Sequence, residues 1–253
     1  MNPNVLMPVP STDFDPSETG IPWKILRKSG IKVTIATPDG KAAECDDRML
    51  HGTDLSIFSK LLKADDFGVD AYREMEKSAE FRNPIAWKDI QSAQYSALLL
   101  PGGHAPGMRE YLESSILQKV VSDFFAKKFP VAAICHGVVL AARAKRSDGK
   151  SVLHGYRSTA LLKSQEMSAW AMTALWLKNY YRTYPESVQS EVSRALANPE
   201  DFVTGPTPLM RDNPQHLSRG FFVYDRHYLS ARWPGDAHAF GKKFAEIIKG
   251  SVD

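Results

Sequence analysis

Cysteine is scarce in this chain, which has only Cys45 and Cys135 among its 253 residues. Two cysteines cannot build a disulfide framework, so we expect reduced thiols and a cytoplasmic protein. Spacing typical of a metal site is also missing, because His51, His104 and the acids near them do not follow the intervals that zinc ligands use. We therefore expect no disulfide scaffold, no metal and no cofactor.

Long apolar runs are lacking as well. The longest are "SALLLP" and "SAWAMTALWL", and both are too short to span a bilayer. The first residues, "MNPNVLMPVPSTDFD", have no charged stretch followed by a long apolar segment, so they do not resemble a signal peptide. We expect no insertion into a membrane.

An excess of one charge is absent too, since 32 basic residues face 29 acidic ones and the net charge is +3. The densest basic stretch, "RAKRSDGK" (143–150), ends in the turn signal Asp148-Gly149, which is typical of a solvated loop. No basic stripe with interleaved aromatic residues occurs in the sequence, so we expect no nucleic-acid partner.

Four short apolar runs are present and predict strands buried on both faces. They are residues 4–10, 32–38, 95–101 and 130–134. Helical patterns alternate with them, at 17–30 with Ser17 and Gly30 as candidate caps, at 114–128 and, after a further core stretch at 220–234, at 236–250. This alternation predicts an α/β fold, with a mostly parallel central sheet and helices on both faces.

Two segments interrupt the alternation, a polar one at 41–94 and an aromatic-rich one at 167–218. We interpret both as insertions over the end of the sheet where the site lies. One domain over 1–253 with two insertions is the simplest organisation.

The stretch "VAAICHGVVLAARA" places Cys135 where a predicted strand turns into a helix. Ligand sites of open parallel sheets form beyond such strand ends. The small neighbours Ala133 and Gly137 are typical of a nucleophile elbow, in which a sharp turn exposes the reactive side chain. The dipoles of the helix start would favour a thiolate. The alternative is a buried cysteine that packs as a small apolar residue.

A second turn, in "ALLLPGGHAPG", offers the backbone N–H groups of Gly102 and Gly103. Glycines allow the backbone to approach a substrate oxygen closely, so this turn could supply oxyanion donors. An ordinary turn from strand to loop is the alternative.

"LLLPGGHAPG", followed about thirty residues later by "VAAICHG", resembles the ThiJ/PfpI superfamily, in the branch with the heat-shock glyoxalases and chaperones. The resemblance covers roughly residues 4–40, 95–166 and 220–250, and it implies a flavodoxin-like three-layer sandwich. Many relatives have proline where this chain has Val138; proline in a first helical turn is helpful but dispensable.

The resemblance also implies roles for single residues. Cys135 would be the nucleophile, and His136 would exchange protons with the substrate. Glu166, after the "GY" turn, would be the third member and fix the tautomer of His136. Glu18 would keep its proton and donate a hydrogen bond to the thiolate, so that the thiol pKa falls; the alternative for Glu18 is an ordinary acid at a helix start. His104 is a candidate for substrate binding.

The activity that the resemblance implies is that of a cofactor-free, glutathione-independent glyoxalase, which acts on small aldehydes such as methylglyoxal and forms a homodimer. A holding chaperone is the alternative from another class, with the aromatic segment 167–184 as its apolar surface. An amidase or peptidase of the same superfamily is also open. Glutamine amidotransfer is disfavoured, because it requires a late His-x-Glu pair and His238 is followed at that spacing by Phe240.

Overall fold

A seven-stranded sheet forms the centre of the computed structural model, which describes residues 3–251. The strands are β1 (Asn4–Pro8), β2 (Lys32–Thr37), β3 (Ile85–Ala86), β4 (Ala97–Leu100), β5 (Val131–Ile134), β6 (Phe222–Asp225) and β7 (Tyr228–Ala231). Their spatial order is β3-β2-β1-β4-β5-β7-β6, and every pair is parallel except β6 with β7. The predicted mostly parallel α/β sheet is confirmed.

Helices cover both faces of this sheet. They are α1 (Pro16–Lys28), α2 (Asp47–His51), α3 (Ser59–Leu62), α4 (Asp66–Glu76), α5 (Ala79–Arg82), α6 (Met108–Leu112), α7 (Ser115–Ala126), α8 (Gly137–Arg143), α9 (Lys163–Leu177), α10 (Val188–Ala195) and α11 (Ala237–Gly250). Helix α1 packs against α4 and α11, whereas α8 packs against α7 and α10. Within residues 3–251, no helix combines the length and the apolar character that crossing a bilayer requires.

All four predicted strands exist, and each ends at the predicted boundary or one to two residues before it. Every residue of β4 and β5 is fully buried, as expected for strands between two helical layers. The stretch 220–234 holds a hairpin, β6 and β7, which turns at Arg226 with a positive φ of 60°. The chain therefore closes its sheet with an antiparallel edge strand.

The start of α1 differs from the prediction, because the cap is Asp15 and not Ser17. The carboxylate of Asp15 accepts hydrogen bonds from the backbone N–H groups of Ser17 (2.8 Å) and Glu18 (3.0 Å). Capping of this kind satisfies N–H groups that have no partner within the helix. It also places Glu18 in the first turn, directly above the ends of the central strands.

The prediction that 41–94 is an insertion is only partly right. Its second half belongs to the core, since β3 pairs with β2 and α4 packs along α1. Its first half, with α2 and α3, lies over the end of the sheet and faces part of the segment 167–218: the rings of Phe58 and Trp176 stack at 6.3 Å. The two segments thus form a common cover.

Candidate active site

Cys135 sits on a strained turn between β5 and α8. Its φ is +56°, a left-handed conformation that costs a residue with a side chain roughly 1–2 kcal/mol. Gly137 makes the turn possible, because a Cβ there would lie 2.2 Å from the carbonyl oxygen of Leu100. The elbow geometry expected from the small neighbours of the cysteine is present.

Glu18 reaches the same point from α1. A Cβ at Gly102 would lie 2.5 Å from Oε2 of Glu18 and 2.9 Å from Cβ of Cys135, so only glycine lets the carboxyl and the thiol side chain meet there. Glu18 is buried, and within residues 3–251 neither carboxyl oxygen has a hydrogen bond of normal geometry. An unpartnered carboxyl beside a buried thiol is costly, so this contact is a candidate for a role in function.

The protonation states of this pair follow from burial. Burial first, and then the neighbouring Asp15, raises the pKa of Glu18 well above its ordinary value. Burial also raises the pKa of the Cys135 thiol, and the carboxyls of Glu18 and Asp15 raise it further. The proton on Glu18 matches the expectation, but the direction for the thiol is reversed. The resting pair is a carboxylic acid next to a thiol.

His136 has its tautomer set by Thr183, a residue 47 positions further along the chain. Nε2 of His136 lies 3.0 Å from Oγ1 of Thr183, and that hydroxyl donates its single proton to the carbonyl oxygen of His104 (2.5 Å). Because the hydroxyl proton is used, Nε2 must carry the proton that it shares with Thr183. Burial lowers the pKa of His136 to about 3, so the ring is neutral.

The free nitrogen of that ring faces the thiol. Nδ1 of His136 lies 3.5 Å from Sγ of Cys135, and in this tautomer it is an acceptor. Nδ1 is thus positioned to exchange a proton with the thiol, while the exchange between His136 and a substrate stays a prediction.

Glu166 does not contact His136 as predicted. It is buried in the first turn of α9, and its Oε2 accepts a hydrogen bond from the backbone N–H of Val188 (3.0 Å) at the start of α10. Burial raises its pKa. The predicted contact with the histidine is wrong, because Thr183 occupies that place; a role of Glu166 in the reaction stays a prediction.

His104, which follows Gly102 and Gly103 in the chain, forms another part of the cavity wall. Its ring stacks on Tyr181 at 4.3 Å and meets Tyr180 edge-on at 4.9 Å. Burial lowers its pKa to about 3, and its Nε2 is buried without a partner in the described part of the chain. A neutral imidazole held between aromatic rings can offer a hydrogen bond to an uncharged ligand. His238 lies away from this cavity, beside Phe67 in a groove along α11.

Cys135 opens onto a cavity of about 230 Å³, whereas the predicted site residues Gly102 and His136 lie behind its wall. The predicted residues on its wall are Glu18, Gly103, His104, Cys135 and Glu166. Both predicted insertions contribute as well, through Met49, Leu61 and Leu62 from the first and Ser168, Ala169, Met172, Tyr181, Pro208, Leu209 and Arg211 from the second. Residues of both segments therefore take part in the lining of this cavity.

Sequence analysis did not identify Asp15, Thr183, Arg211 or Trp233, of which all but Thr183 line the cavity. Only Asp15 had a local signal, as an acid before a helix. Within residues 3–251, no cluster of three or more His, Cys, Asp or Glu side chains is arranged to hold a metal ion.

Comparison with known proteins adds a second line of evidence. A family model described as ThiJ/PfpI family-like matches residues 9–206. Two similar proteins come from Schizosaccharomyces pombe: glutathione-independent glyoxalase hsp3102 is 29% identical over 63% of this chain, and glutathione-independent glyoxalase hsp3101 is 27% identical over 76% of it. The matched regions span 64% of the first relative, which is less than two thirds of its length, and 73% of the second.

Solved structures show the same fold. Glyoxalase III from Candida albicans superposes with a TM-score of 0.69 at 17% identity, covering 98% of this chain and 97% of that one. DJ-1beta from Drosophila melanogaster superposes with a TM-score of 0.57 at 19% identity, covering 100% and 98%. With its family match over residues 9–206, its elbow cysteine and this shared fold, the chain belongs to the ThiJ/PfpI family, in the branch that contains glyoxalases and DJ-1-like proteins.

Proposed function

We propose that the protein is a glutathione-independent glyoxalase that converts small 2-oxoaldehydes, such as methylglyoxal, into 2-hydroxy acids. One observation carries the proposal: the Cys135 thiol lies in a cavity between a protonated carboxyl, Glu18, and the acceptor nitrogen of His136. A thiol nucleophile, a base and an acid are the groups that addition to an aldehyde and transfer of a proton between carbons require. The similarity to two proteins named glutathione-independent glyoxalases supports it.

The reaction begins with addition. Nδ1 of His136 takes the proton from the thiol, Sγ of Cys135 forms a bond with the aldehyde carbon, and the carbonyl oxygen gains a proton from Glu18, giving a hemithioacetal. The backbone N–H of Gly103, for which no acceptor is found within residues 3–251, is available to the developing oxyanion.

Proton transfer and hydrolysis complete the reaction. The carboxylate that Glu18 has become removes the C1 proton of the hemithioacetal, and the proton of the C1 hydroxyl passes to the C2 oxygen, which leaves an enediolate with its charge on the C1 oxygen. The imidazolium of His136 returns its proton to C2, and the product is a thioester of a 2-hydroxy acid. Water then cleaves the carbon–sulfur bond, which frees the thiol and the acid. The balance is one aldehyde and one water converted to one 2-hydroxy acid, with no oxidant or reductant.

The test is incubation with methylglyoxal in the absence of glutathione, followed by detection of lactate. Cys135→Ala should abolish lactate formation, because no other nucleophile stands in the cavity wall at that point. Cys45→Ser is the matched control: Cys45 is half-buried outside the cavity, and burial raises the pKa of its thiol to about 12. The control should keep wild-type turnover.

Two results would reject the proposal. One is a wild-type protein that produces no lactate under these conditions. The other is a Cys135→Ala variant that produces as much as wild type. Sedimentation equilibrium of the same preparations tests the homodimer, which stays a prediction.

A holding chaperone is the second candidate, and a specific observation favours it. Six large apolar side chains of the cover are exposed, all of them within the two segments predicted as insertions: Ile57, Leu61, Leu175, Trp176, Leu209 and Met210. Exposed apolar clusters of this kind bind unfolded chains or partners. Suppression of the aggregation of a heated client protein by the Cys135→Ala variant would support this activity, and no suppression would count against it.

A further inference from the structure

Arg211 places a positive charge in the wall of the cavity. Its guanidinium lies over the ring of Trp233, 5.6 Å from the ring centre. Its Nη2 donates to the carbonyl oxygens of Lys63 (2.8 Å) and Leu62 (3.4 Å). Within residues 3–251 these are its only hydrogen bonds, so Nε and Nη1 have no protein acceptor. These contacts hold the guanidinium in place, and its Nε and Nη1 remain available to donate to a ligand.

The other ionisable groups of the cavity wall do not neutralise the charge of Arg211. Burial raises the pKa of Asp15, Glu18 and Glu166, which favours their neutral forms. Arg211 is near enough to oppose that shift at Asp15 and Glu18, so it lies within electrostatic reach of the reacting groups. A guanidinium is protonated at every pH at which proteins fold. Arg211 is thus the permanent charge among the described residues of the wall.

Further unpaired donors stand beside it. Nε1 of Trp233 and the hydroxyl of Tyr181 are buried and have no partner within residues 3–251, and both residues line the cavity. Buried donors without a partner are rare in folded proteins, so each of these two groups has an unused hydrogen bond to offer. Together with Arg211 they provide several hydrogen-bond donors, which suits an anion with several acceptor atoms. A carboxylate matches the fork of a guanidinium better than a single carbonyl oxygen does.

We propose that the substrates are 2-oxoaldehydes that carry a carboxylate at the end opposite the aldehyde, bound by Arg211 while the aldehyde meets Cys135. The proposal rests on the glyoxalase function above and adds the class of substrate. The chemistry is unchanged, because the distant carboxylate takes no part in the addition, proton transfer or hydrolysis.

The test compares two substrates of equal chain length, 4,5-dioxopentanoate and the neutral 2-oxopentanal. Wild type should favour the charged substrate in kcat/KM by about 10-fold or more. Arg211→Gln should abolish that preference, a loss of about 10-fold or more, which is the range expected for a charge-assisted hydrogen bond. Arg219→Gln removes an exposed charge that lies outside the cavity wall, and this control should keep the wild-type preference. Arg211→Lys retains the charge but not the forked guanidinium, so its preference for the charged substrate should lie between those of wild type and Arg211→Gln. This variant also provides the test if Arg211→Gln does not fold.

A second readout does not depend on turnover. Pentanoate should slow the alkylation of Cys135 by iodoacetamide in wild type, whereas pentanamide should not, and Arg211→Gln should lose the difference. If neither aldehyde is converted, the glyoxalase proposal fails, while this protection still tests Arg211. Equal wild-type activity on both aldehydes, or an equal loss on both in Arg211→Gln, would overturn the inference, because Arg211 would then only support the cover or neutralise the acids.

Discussion

Thr183→Val tests the geometry of the site most directly. Valine has nearly the shape of threonine, so the substitution removes the hydroxyl and little else. Two hydrogen bonds disappear, the one to Nε2 of His136 (3.0 Å) and the one to the carbonyl oxygen of His104 (2.5 Å). The proton on Nε2 then loses its acceptor, and nothing keeps Nδ1 free to receive the proton of the Cys135 thiol.

The size of the effect follows from the burial of these groups. His136 is 1% exposed, so water cannot replace the hydroxyl, and a buried group left without a partner costs about 1–3 kcal/mol. If this cost is added to the barrier for thiol addition, kcat falls by about 5- to 150-fold. If the same cost destabilises the folded state instead, Tm falls by about 2–4 °C for each kcal/mol in a chain of this size.

The assay is steady-state turnover of methylglyoxal, together with nitrogen NMR of the imidazole to identify the tautomer. Thr183→Ser is the matched control, because it retains the hydroxyl, and it should keep most of the activity and the protonated Nε2. A valine variant with wild-type kcat would refute the reasoning. So would equal losses in the serine and valine variants.

Three further predictions address other parts of the site. Because burial raises the pKa of Glu18, its contribution to stability is fully present below its ordinary pKa of 4.5 and is lost as the pH rises through the raised pKa. The Tm of Glu18→Gln relative to that of wild type should therefore increase as the pH rises above about 4.5, and a difference that does not change with pH would contradict the shift. Glu166→Ala should lower the free energy of unfolding by about 1–3 kcal/mol, since the N–H of Val188 loses its acceptor. Glu166→Gln should remain stable and active. A Gln variant that is stable but inactive in the lactate assay would indicate that Glu166 acts in catalysis. Gly102→Ala should abolish activity, because its Cβ would lie 2.5 Å from Oε2 of Glu18, while Gly250→Ala, whose Cβ meets nothing within 4 Å, is the control; full turnover of the first variant would show that the carboxyl can move away.

Much of the fold could be predicted because its determinants are local. Apolar runs of strand length, such as 130–134, and the alternation with helical patterns are properties of neighbouring residues. The elbow is local as well: Cys135 takes its positive φ between small neighbours within a few positions. Glycine at 102 and 137 also marked close approach before any contact was known. For the same reason the contiguous family motifs located Cys135 correctly at the turn from strand to helix.

Only the tertiary structure decided which side chains face that nucleophile. The partner of His136 is Thr183, 47 residues away on a segment without a motif, and no local pattern distinguishes it from the predicted Glu166. Arg211 reaches the cavity from the second cover segment, and its support, the carbonyl of Lys63, is 148 residues distant. The pKa of the Cys135 thiol likewise depends on burial and on carboxyls from another helix. Composition and periodicity report how each segment is built, but hydrogen bonds and charges act through space, and their partners are set only when the segments pack.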